Sequence, residues 1–197
     1  MGSPLRNWGS GAPRHSLIVQ LAEAANCTNC VLSSTRTQVV IGSGEITARV
    51  VIVGEAPGRN EDEGGAPFIG RSGQLLFRLL EEELGLVRED CYVTNVVKCR
   101  PPNNRTPKRA EIDACRRWWE LQRGAMHPEV VLTLGLTATR AVLGVRSAMA
   151  DLHGRISRID HLSVVPTYHP AAALRQGPSV VDMMRADFRV ARGLLTS

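Results

Sequence analysis

The chain has 197 residues and is 43% hydrophobic, enough for one domain with a sizeable core, and it lacks the run of 18 apolar residues that a membrane-spanning helix needs. The net charge is +5, and every cationic residue except Lys98 and Lys108 is Arg. Because the guanidinium group forms a planar fork that matches phosphate oxygens, this charge favours a nucleic acid partner, although a G+C-rich genome would also explain the Arg bias.

The predicted elements begin after a leader. Residues 1–16 are rich in Gly, Ser and Pro and lack an apolar core, so we expect a disordered leader, followed by a single domain over residues 17–197. Four apolar segments are predicted as buried strands, with helices between them: residues 48–53, 92–97, 130–134 and 162–167. This alternation predicts an α/β fold, a three-layer α/β/α sandwich around a central, mainly parallel four-stranded sheet.

The first strand is followed by a Gly/Pro-rich segment, residues 54–71, for which we predict a long loop. It opens with GEAPG (residues 54–58), which is neither a Walker loop nor a G-x-G-x-x-G fingerprint. The carboxylate of Glu55 among backbone amides suits the orientation of a water molecule or the stabilisation of positive charge, with a surface turn as the alternative. Phe68 lies in a polar part of the loop, where core packing explains it poorly and a stacking platform for a planar base explains it better.

Two further polar residues follow strands. The side-chain amide of Asn95 offers a donor and an acceptor together, the pattern that reads adjacent N–H and C=O groups, although Asn is also a common turn residue. His169, fixed by Pro170 after the last strand, could donate a hydrogen bond to a developing oxyanion or be structural. Because ligands of open α/β sheets bind at the carboxyl ends of the strands, we expect these residues to meet there.

The cysteines predict a metal site. Five cysteines without a secretory segment favour metal binding in a reducing, cytoplasmic compartment over a disulfide framework. Cys27 and Cys30 form a C-x2-C pair, and Cys99 and Cys115 bracket an Arg-rich segment much later in the chain. The fifth, Cys91, opens an apolar strand and is expected to be a small buried hydrophobe. The residue types alone do not separate Zn²⁺ from an iron–sulfur cluster, since both accept four thiolates.

Three segments together with these cysteines resemble the family 4 uracil-DNA glycosylases, the iron–sulfur branch of that superfamily. The segments are VVIVGEAPGRNEDEGGAPFIGRSGQLL, TNVVKCRPPNNRTPKRAEIDAC and TYHPAAALR, and the resemblance covers about residues 25–195. It implies that Cys27, Cys30, Cys99 and Cys115 hold a structural 4Fe-4S cluster. It also implies that a monomer flips uracil out of uracil-containing DNA and hydrolyses the N-glycosidic bond, leaving an abasic site.

The resemblance assigns roles to the predicted site. Phe68 would stack on uracil, Asn95 would pair with its O4 and N3–H edge, and His169 would stabilise the uracil anion through O2. Glu55 would face the cationic sugar of a dissociative mechanism and orient the attacking water. The complete set implied for the base pocket is Glu55, Ala56, Pro57, Phe68, Asn95 and His169.

The resemblance also implies a DNA-binding surface. Arg100, Arg105 and Arg109 would contact phosphates, and Leu174 or Arg175 would fill the gap left by the flipped base. The structural alternative is that Leu174 starts the apolar face of the terminal helix. A related branch traps uracil-DNA covalently through a His in an Arg-rich insert, but RPPNNRTPKR lacks both the insert and His, so turnover is expected. Rival hypotheses are a non-catalytic or covalently trapping metal-containing DNA-binding protein, and an enzyme acting on mononucleotides.

Overall fold

A computed structural model describes residues 22–195 of the chain. The predicted leader, residues 1–16, lies outside the described residues. No helix in the described part of the chain is long and apolar enough to cross a membrane.

The fold is built on a five-stranded sheet. The strands are β1 (Val50–Gly54), β2 (Cys91–Asn95), β3 (Val130–Leu134), β4 (Ser157–Ile159) and β5 (Leu162–Thr167). Their order across the sheet is β2-β1-β3-β5-β4. All neighbouring pairs are parallel except β4 and β5, which pair antiparallel. The predicted α/β class is therefore confirmed, but the predicted count of four strands was wrong. The additional strand, β4, has three residues, none of them buried, so it carries no apolar pattern that the sequence could reveal.

Helices cover both faces of the sheet. The α-helices that follow β1 are α1 (Arg59–Gly64), α2 (Arg71–Leu84), α3 (Arg109–Ala125), α4 (Leu136–Leu143), α5 (Met149–Leu152), α6 (Pro170–Gln176) and α7 (Pro178–Arg192). Ile52 of β1 belongs to an apolar cluster with α2 and α7, whereas its neighbours Val51 and Val53 belong to a second cluster with Trp118 and Trp119 of α3. This alternation of side chains along a strand buried on both faces confirms the predicted three layers.

Two short helices that the sequence pattern did not predict help to form the site. Residues 54–71, predicted to be a loop, contain α1, a polar helix without an apolar stripe. The segment after β5 forms α6, a helix separate from the terminal helix α7. Leu174 lies on α6 and is 46% exposed, so the alternative that it starts the apolar face of the terminal helix is wrong.

Candidate active site

The carboxyl ends of β1, β2 and β5 open into one cleft of about 560 Å³. The structure brings Glu55, Phe68, Asn95 and His169 together on its walls. Ala56 and Pro57 of the GEAPG segment line the same cleft. The residues come from separate parts of the chain and meet because parallel strands end at one edge of the sheet.

Asn95, the last residue of β2, presents an unpaired acceptor beside the cleft. Its side chain is 1% exposed, and Oδ1 has no hydrogen-bond partner among residues 22–195. A Cβ atom added at Gly54 would lie 2.3 Å from Asn95 Oδ1 and 2.5 Å from Cζ of Phe68, so the amide and the ring can approach each other only across a glycine. A buried acceptor without a donor costs about 1–3 kcal/mol, which a bound ligand carrying an N–H group would offset.

Phe68 is held in an unusual backbone conformation by Arg88. Its φ angle is +54°, in the left-handed region that aromatic residues rarely adopt. Arg88 Nη1 donates to the Phe68 carbonyl at 3.1 Å, and Nη2 donates to the carbonyl of Pro67 and to Ser43 Oγ. The Arg88 guanidinium also lies 4.9 Å from the centroid of the Phe77 ring. Sequence reasoning missed Arg88, because this contact depends on tertiary structure.

His169 has a defined tautomer. It is the N-cap residue of α6, and its Nδ1 accepts a hydrogen bond from the Ala171 N–H at 3.1 Å. In the neutral ring the proton therefore resides on Nε2, which remains available as a donor. Burial, together with the charge of Arg175, lowers the pKa of His169 from 6.5 to about 4, so the neutral form prevails near pH 7. The centroids of the His169 and Phe68 rings are 5.8 Å apart.

Glu55 combines a fixed backbone with an unengaged carboxylate. Hydrogen bonds from Val97 N–H to the Glu55 carbonyl (3.0 Å) and from Val96 N–H to the Gly54 carbonyl (2.9 Å) continue the pairing of β1 and β2 beyond the strand ends. The half-buried Glu55 carboxylate makes no hydrogen bond or ion pair with another described residue. It is thus available to a cationic group or a water molecule in the cleft.

Glu61 is a second cleft carboxylate, and sequence reasoning assigned it no role. It accepts hydrogen bonds from Gly58 N–H at 3.1 Å and from Gly70 N–H at 2.9 Å. Gly58 directly precedes α1 and Gly70 directly precedes α2, and both glycines line the cleft. Glu61 therefore joins two parts of the cleft wall, and its oxygens are occupied in doing so.

The predicted DNA-binding residues, three for phosphates and two for the gap left by the flipped base, divide into two groups. Arg105 and Arg175 line the cleft, but Arg100, Arg109 and Leu174 are not among the residues that line it. Within this set, Arg105 forks onto the buried Glu111 at 2.8 and 2.6 Å, Arg109 pairs with Asp113 at 2.8 Å, and Arg100 donates to Asn104 at 2.7 Å. These partners are intramolecular, so any phosphate contact must share or replace them.

Two arginines that the sequence reasoning did not single out, Arg59 and Arg71, also line the cleft. Arg59 pairs with Glu63, whereas Arg71 at the start of α2 forms no ion pair within residues 22–195. The exposed Arg71 is therefore available to an anionic ligand, as is the exposed Arg175, which also forms no ion pair with another described residue. The position of Arg71 became apparent only from the structure, because nothing in the sequence distinguishes it from other surface arginines.

All four predicted metal ligands line one small cavity, together with Val97 and Lys98: Cys27, Cys30, Cys99 and Cys115. They are free thiols, and each of three sulfurs accepts a hydrogen bond. The donors are Arg36 Nη1 to Cys99 (3.6 Å), the Lys98 main-chain N–H to Cys115 (3.2 Å) and Trp118 Nε1 to Cys27 (3.4 Å). Burial raises the pKa of Cys99 to about 11, so a bound cation would be needed to keep it a thiolate.

The donor set bears on the type of metal site. Four thiols that line one cavity are ligands that both Zn²⁺ and an iron–sulfur cluster accept. Cys91 is fully buried in β2, as predicted.

Comparisons with known proteins agree with the resemblance drawn from the motifs. The model of the uracil DNA glycosylase superfamily matches residues 41–190. The type-4 uracil-DNA glycosylase of Sulfurisphaera tokodaii is 39% identical, over 87% of this chain and 81% of its own length. The type-4 enzyme of Pyrobaculum aerophilum is 44% identical, over 77% of this chain and 81% of its own length. That of Thermotoga maritima is 45% identical, over 76% of this chain and 78% of its own length. The cleft at the strand ends and the cavity with four cysteines therefore belong to a member of the type-4 uracil-DNA glycosylase family.

Proposed function

We propose that the chain removes uracil from DNA by hydrolysing its N-glycosidic bond. The observation that carries the choice of base is the buried Asn95 Oδ1, which has no donor within residues 22–195 and lies beside the Phe68 ring. The N3–H group of uracil supplies such a donor, and the Asn95 amide can donate to O4. Cytosine has a lone pair at N3 and an amino group at C4, so it would leave these groups unpaired at a cost of about 1–3 kcal/mol each.

The cleft requires an extrahelical nucleotide. A base inside a duplex cannot reach a pocket at the edge of a sheet, so the nucleotide must rotate out at a cost of a few kcal/mol. Phe68 would then stack on the flipped uracil. Leu174, which is 46% exposed on α6 next to the cleft residue Arg175, is suited to fill the gap left in the base stack. Its exposure supports this role, because a core residue could not serve it.

The side chains of the cleft support a dissociative hydrolysis. As the bond between C1′ and N1 breaks, its electron pair moves to uracil and leaves positive charge on the sugar. Neutral His169 would donate its Nε2–H to uracil O2 and stabilise that anion, as neutral imidazoles do at other developing oxyanions. The Glu55 carboxylate would stabilise the cationic sugar and orient a water molecule, whose oxygen bonds to C1′ while its proton is released.

DNA would bind across the mouth of this cleft. Arg105 and Arg175 line it, and we propose that they contact phosphates together with Arg100 and Arg109. The intramolecular partners of Arg105 and Arg109 predict that these two contribute less than Arg175. Each phosphate contact releases counterions, so the affinity should fall steeply as the salt concentration rises.

We also propose that Cys27, Cys30, Cys99 and Cys115 hold a 4Fe-4S cluster in a reducing, cytoplasmic compartment. When bound, the cluster would supply a rigid link between the N-terminal segment, the loop after β2 and α3. Hydrogen bonds to three of the sulfurs support this assignment, because such donors stabilise thiolate ligands. Analysis of the purified protein should give about four iron and four sulfide per chain. One zinc without sulfide would contradict the assignment.

The proposed function is tested by incubating the protein with a single-stranded and a duplex oligonucleotide that each contain one uracil. We expect free uracil and an alkali-labile abasic site, and no product from the same oligonucleotides with cytosine. His169→Ala should lower the rate roughly 10²–10³-fold while DNA binding persists. His127→Ala, which changes an exposed His outside the cleft, is the matched control.

The same assay, run also with deoxyuridine monophosphate as substrate, separates the rival hypotheses. A complex that survives denaturant would indicate covalent trapping of DNA. Binding without release of uracil or a covalent complex would indicate a non-catalytic DNA-binding protein. Release from deoxyuridine monophosphate but not from DNA would indicate a mononucleotide enzyme. Any of these three results would contradict the proposed function.

A further inference from the structure

Lys98 is fully buried, and its amino group has no acidic partner among the described residues. It is 1% exposed and ranks among the largest completely buried side chains of residues 22–195. Its Nζ instead donates to three neutral acceptors: Thr94 Oγ1 at 2.7 Å, the Asn95 carbonyl at 2.6 Å and Gln122 Oε1 at 2.6 Å. Three acceptors thus surround the amino group. A buried polar group is tolerated only when its hydrogen bonds are made in this way, so the arrangement is specific.

The acceptors are themselves fixed. Gln122 Nε2 donates to the Ile41 carbonyl at 2.7 Å and to the Tyr92 hydroxyl at 2.9 Å, which orients Oε1 toward Lys98. The Thr94 hydroxyl donates to the same Ile41 carbonyl at 2.8 Å, so its oxygen can accept from Lys98. The network therefore ties α3 to the end of β2 through side chains whose donors and acceptors are all assigned.

One end of this network is the backbone of Asn95. Lys98 holds the Asn95 carbonyl, and the pairing of Asn95 with Gly54 in the β1–β2 register holds the same residue from the other side. The Asn95 side chain has no such support, because Oδ1 has no partner in the part of the chain that the structure describes. The direction in which Oδ1 is presented to the cleft therefore depends on the backbone that Lys98 fixes.

We propose that Lys98 is a positioning residue for base recognition, which acts through Asn95. This inference rests on the proposed function, in which Asn95 binds the uracil edge. Lys98 itself does not line the cleft, so it does not touch the base. Its main chain is anchored independently, through its N–H to Cys115 and its carbonyl to Val40 N–H, so replacement of the side chain leaves these bonds available.

The test is a double-mutant cycle between Lys98 and Asn95. The kcat/KM for uracil release is measured under single-turnover conditions for the wild type, Lys98→Met, Asn95→Ala and the double variant. If Lys98 acts through Asn95, Lys98→Met should cost about tenfold or more with Asn95 present and less than twofold with Ala at position 95. A purely structural role predicts an equal loss in both backgrounds, and that result would overturn the inference.

A second pair of variants decides the matter if Lys98→Met does not fold. Thr94→Val removes one acceptor of the Lys98 amino group without changing the shape of the side chain, and Thr94→Ser keeps the acceptor. We expect Thr94→Val to lower kcat/KM several-fold in the wild type but not with Asn95→Ala, and Thr94→Ser to retain it. Equal effects of Val and Ser would overturn the inference.

The two proposals can fail separately. If the wild type releases no uracil, the proposed function fails and the role of Lys98 fails with it. If the wild type is active but Lys98→Met lowers kcat/KM by the same factor with and without Asn95→Ala, only the role of Lys98 fails. Melting temperature and iron content, measured on every variant, identify losses that come from unfolding or from an incomplete metal site, and those variants are excluded from the cycle.

Discussion

Replacement of Asn95 by Ala should separate the activity of this protein from its stability. In the complex, the variant leaves uracil O4 and N3–H without partners in a buried cleft, at about 1–3 kcal/mol for each group. The sum of about 2–6 kcal/mol corresponds to a roughly 30-fold to 10⁴-fold loss of kcat/KM. In the free protein, however, the change removes Oδ1, which is buried and has no partner among the described residues. The gain from removing this acceptor offsets the packing that the amide loses, so the free energy of unfolding should change by no more than about 1 kcal/mol.

The assay combines single-turnover release of uracil with thermal unfolding of the DNA-free protein. We expect a large loss of rate with a shift in melting temperature of no more than about 4 °C. Asn95→Asp is a matched comparison, because it keeps the size of the side chain but exchanges the amide donor for an acceptor, which suits the amino group of cytosine. Its preference should move from uracil toward cytosine. If Asn95→Ala lost several kcal/mol of stability and activity together, Asn95 would be a structural residue and the reasoning would be refuted.

Three further outcomes are expected. First, ¹⁵N NMR should show His169 neutral, with its proton on Nε2, down to about pH 4. The free energy of unfolding should fall as the pH drops from about 6.5 to 4, because in this range only the unfolded state gains the proton. A titration midpoint of His169 near pH 6.5 in the folded protein would contradict the lowered pKa. Second, Arg88→Met should lower kcat/KM about tenfold, because it releases the carbonyl of Phe68. Arg88→Lys should give an intermediate kcat/KM, because an ammonium group cannot bond to the Phe68 and Pro67 carbonyls as the planar guanidinium does. An unchanged kcat/KM would show that Arg88 does not support Phe68. Third, Arg175→Ala should reduce the slope of log DNA affinity against log salt concentration by about one. Arg158→Ala, on β4, is the control and should leave this slope unchanged. The same slope in both variants would exclude a phosphate contact by Arg175.

The sequence was sufficient to predict the region of the site because the governing rule is topological. Glu55, Asn95 and His169 each follow an apolar strand, and parallel strands place such residues at one edge of the sheet. Their convergence on a common cleft therefore required only the strand assignments. The strand count needed more, since β4 has no buried residue and forms only because β5 offers an unpaired edge.

The supporting contacts could not be predicted, because they join a side chain to the backbone of a distant segment. Arg88 resembles any surface Arg in the sequence, yet it fixes the left-handed Phe68. Lys98 would be expected at the surface, yet it is fully buried beneath Asn95. Arg105 was predicted to bind phosphate, but its fork is occupied by Glu111. In each case a hydrogen-bonding partner that tertiary structure supplies outweighs the usual preference of the residue type.

The central claim, that Asn95 and Phe68 recognise the base, is tested most directly by a crystal structure of the protein with uracil. We predict that uracil lies against the Phe68 ring with N3 about 2.7–3.2 Å from Asn95 Oδ1 and O2 within the same distance of His169 Nε2. Uracil bound elsewhere, or in this cleft with Asn95 Oδ1 still lacking a donor, would contradict the claim.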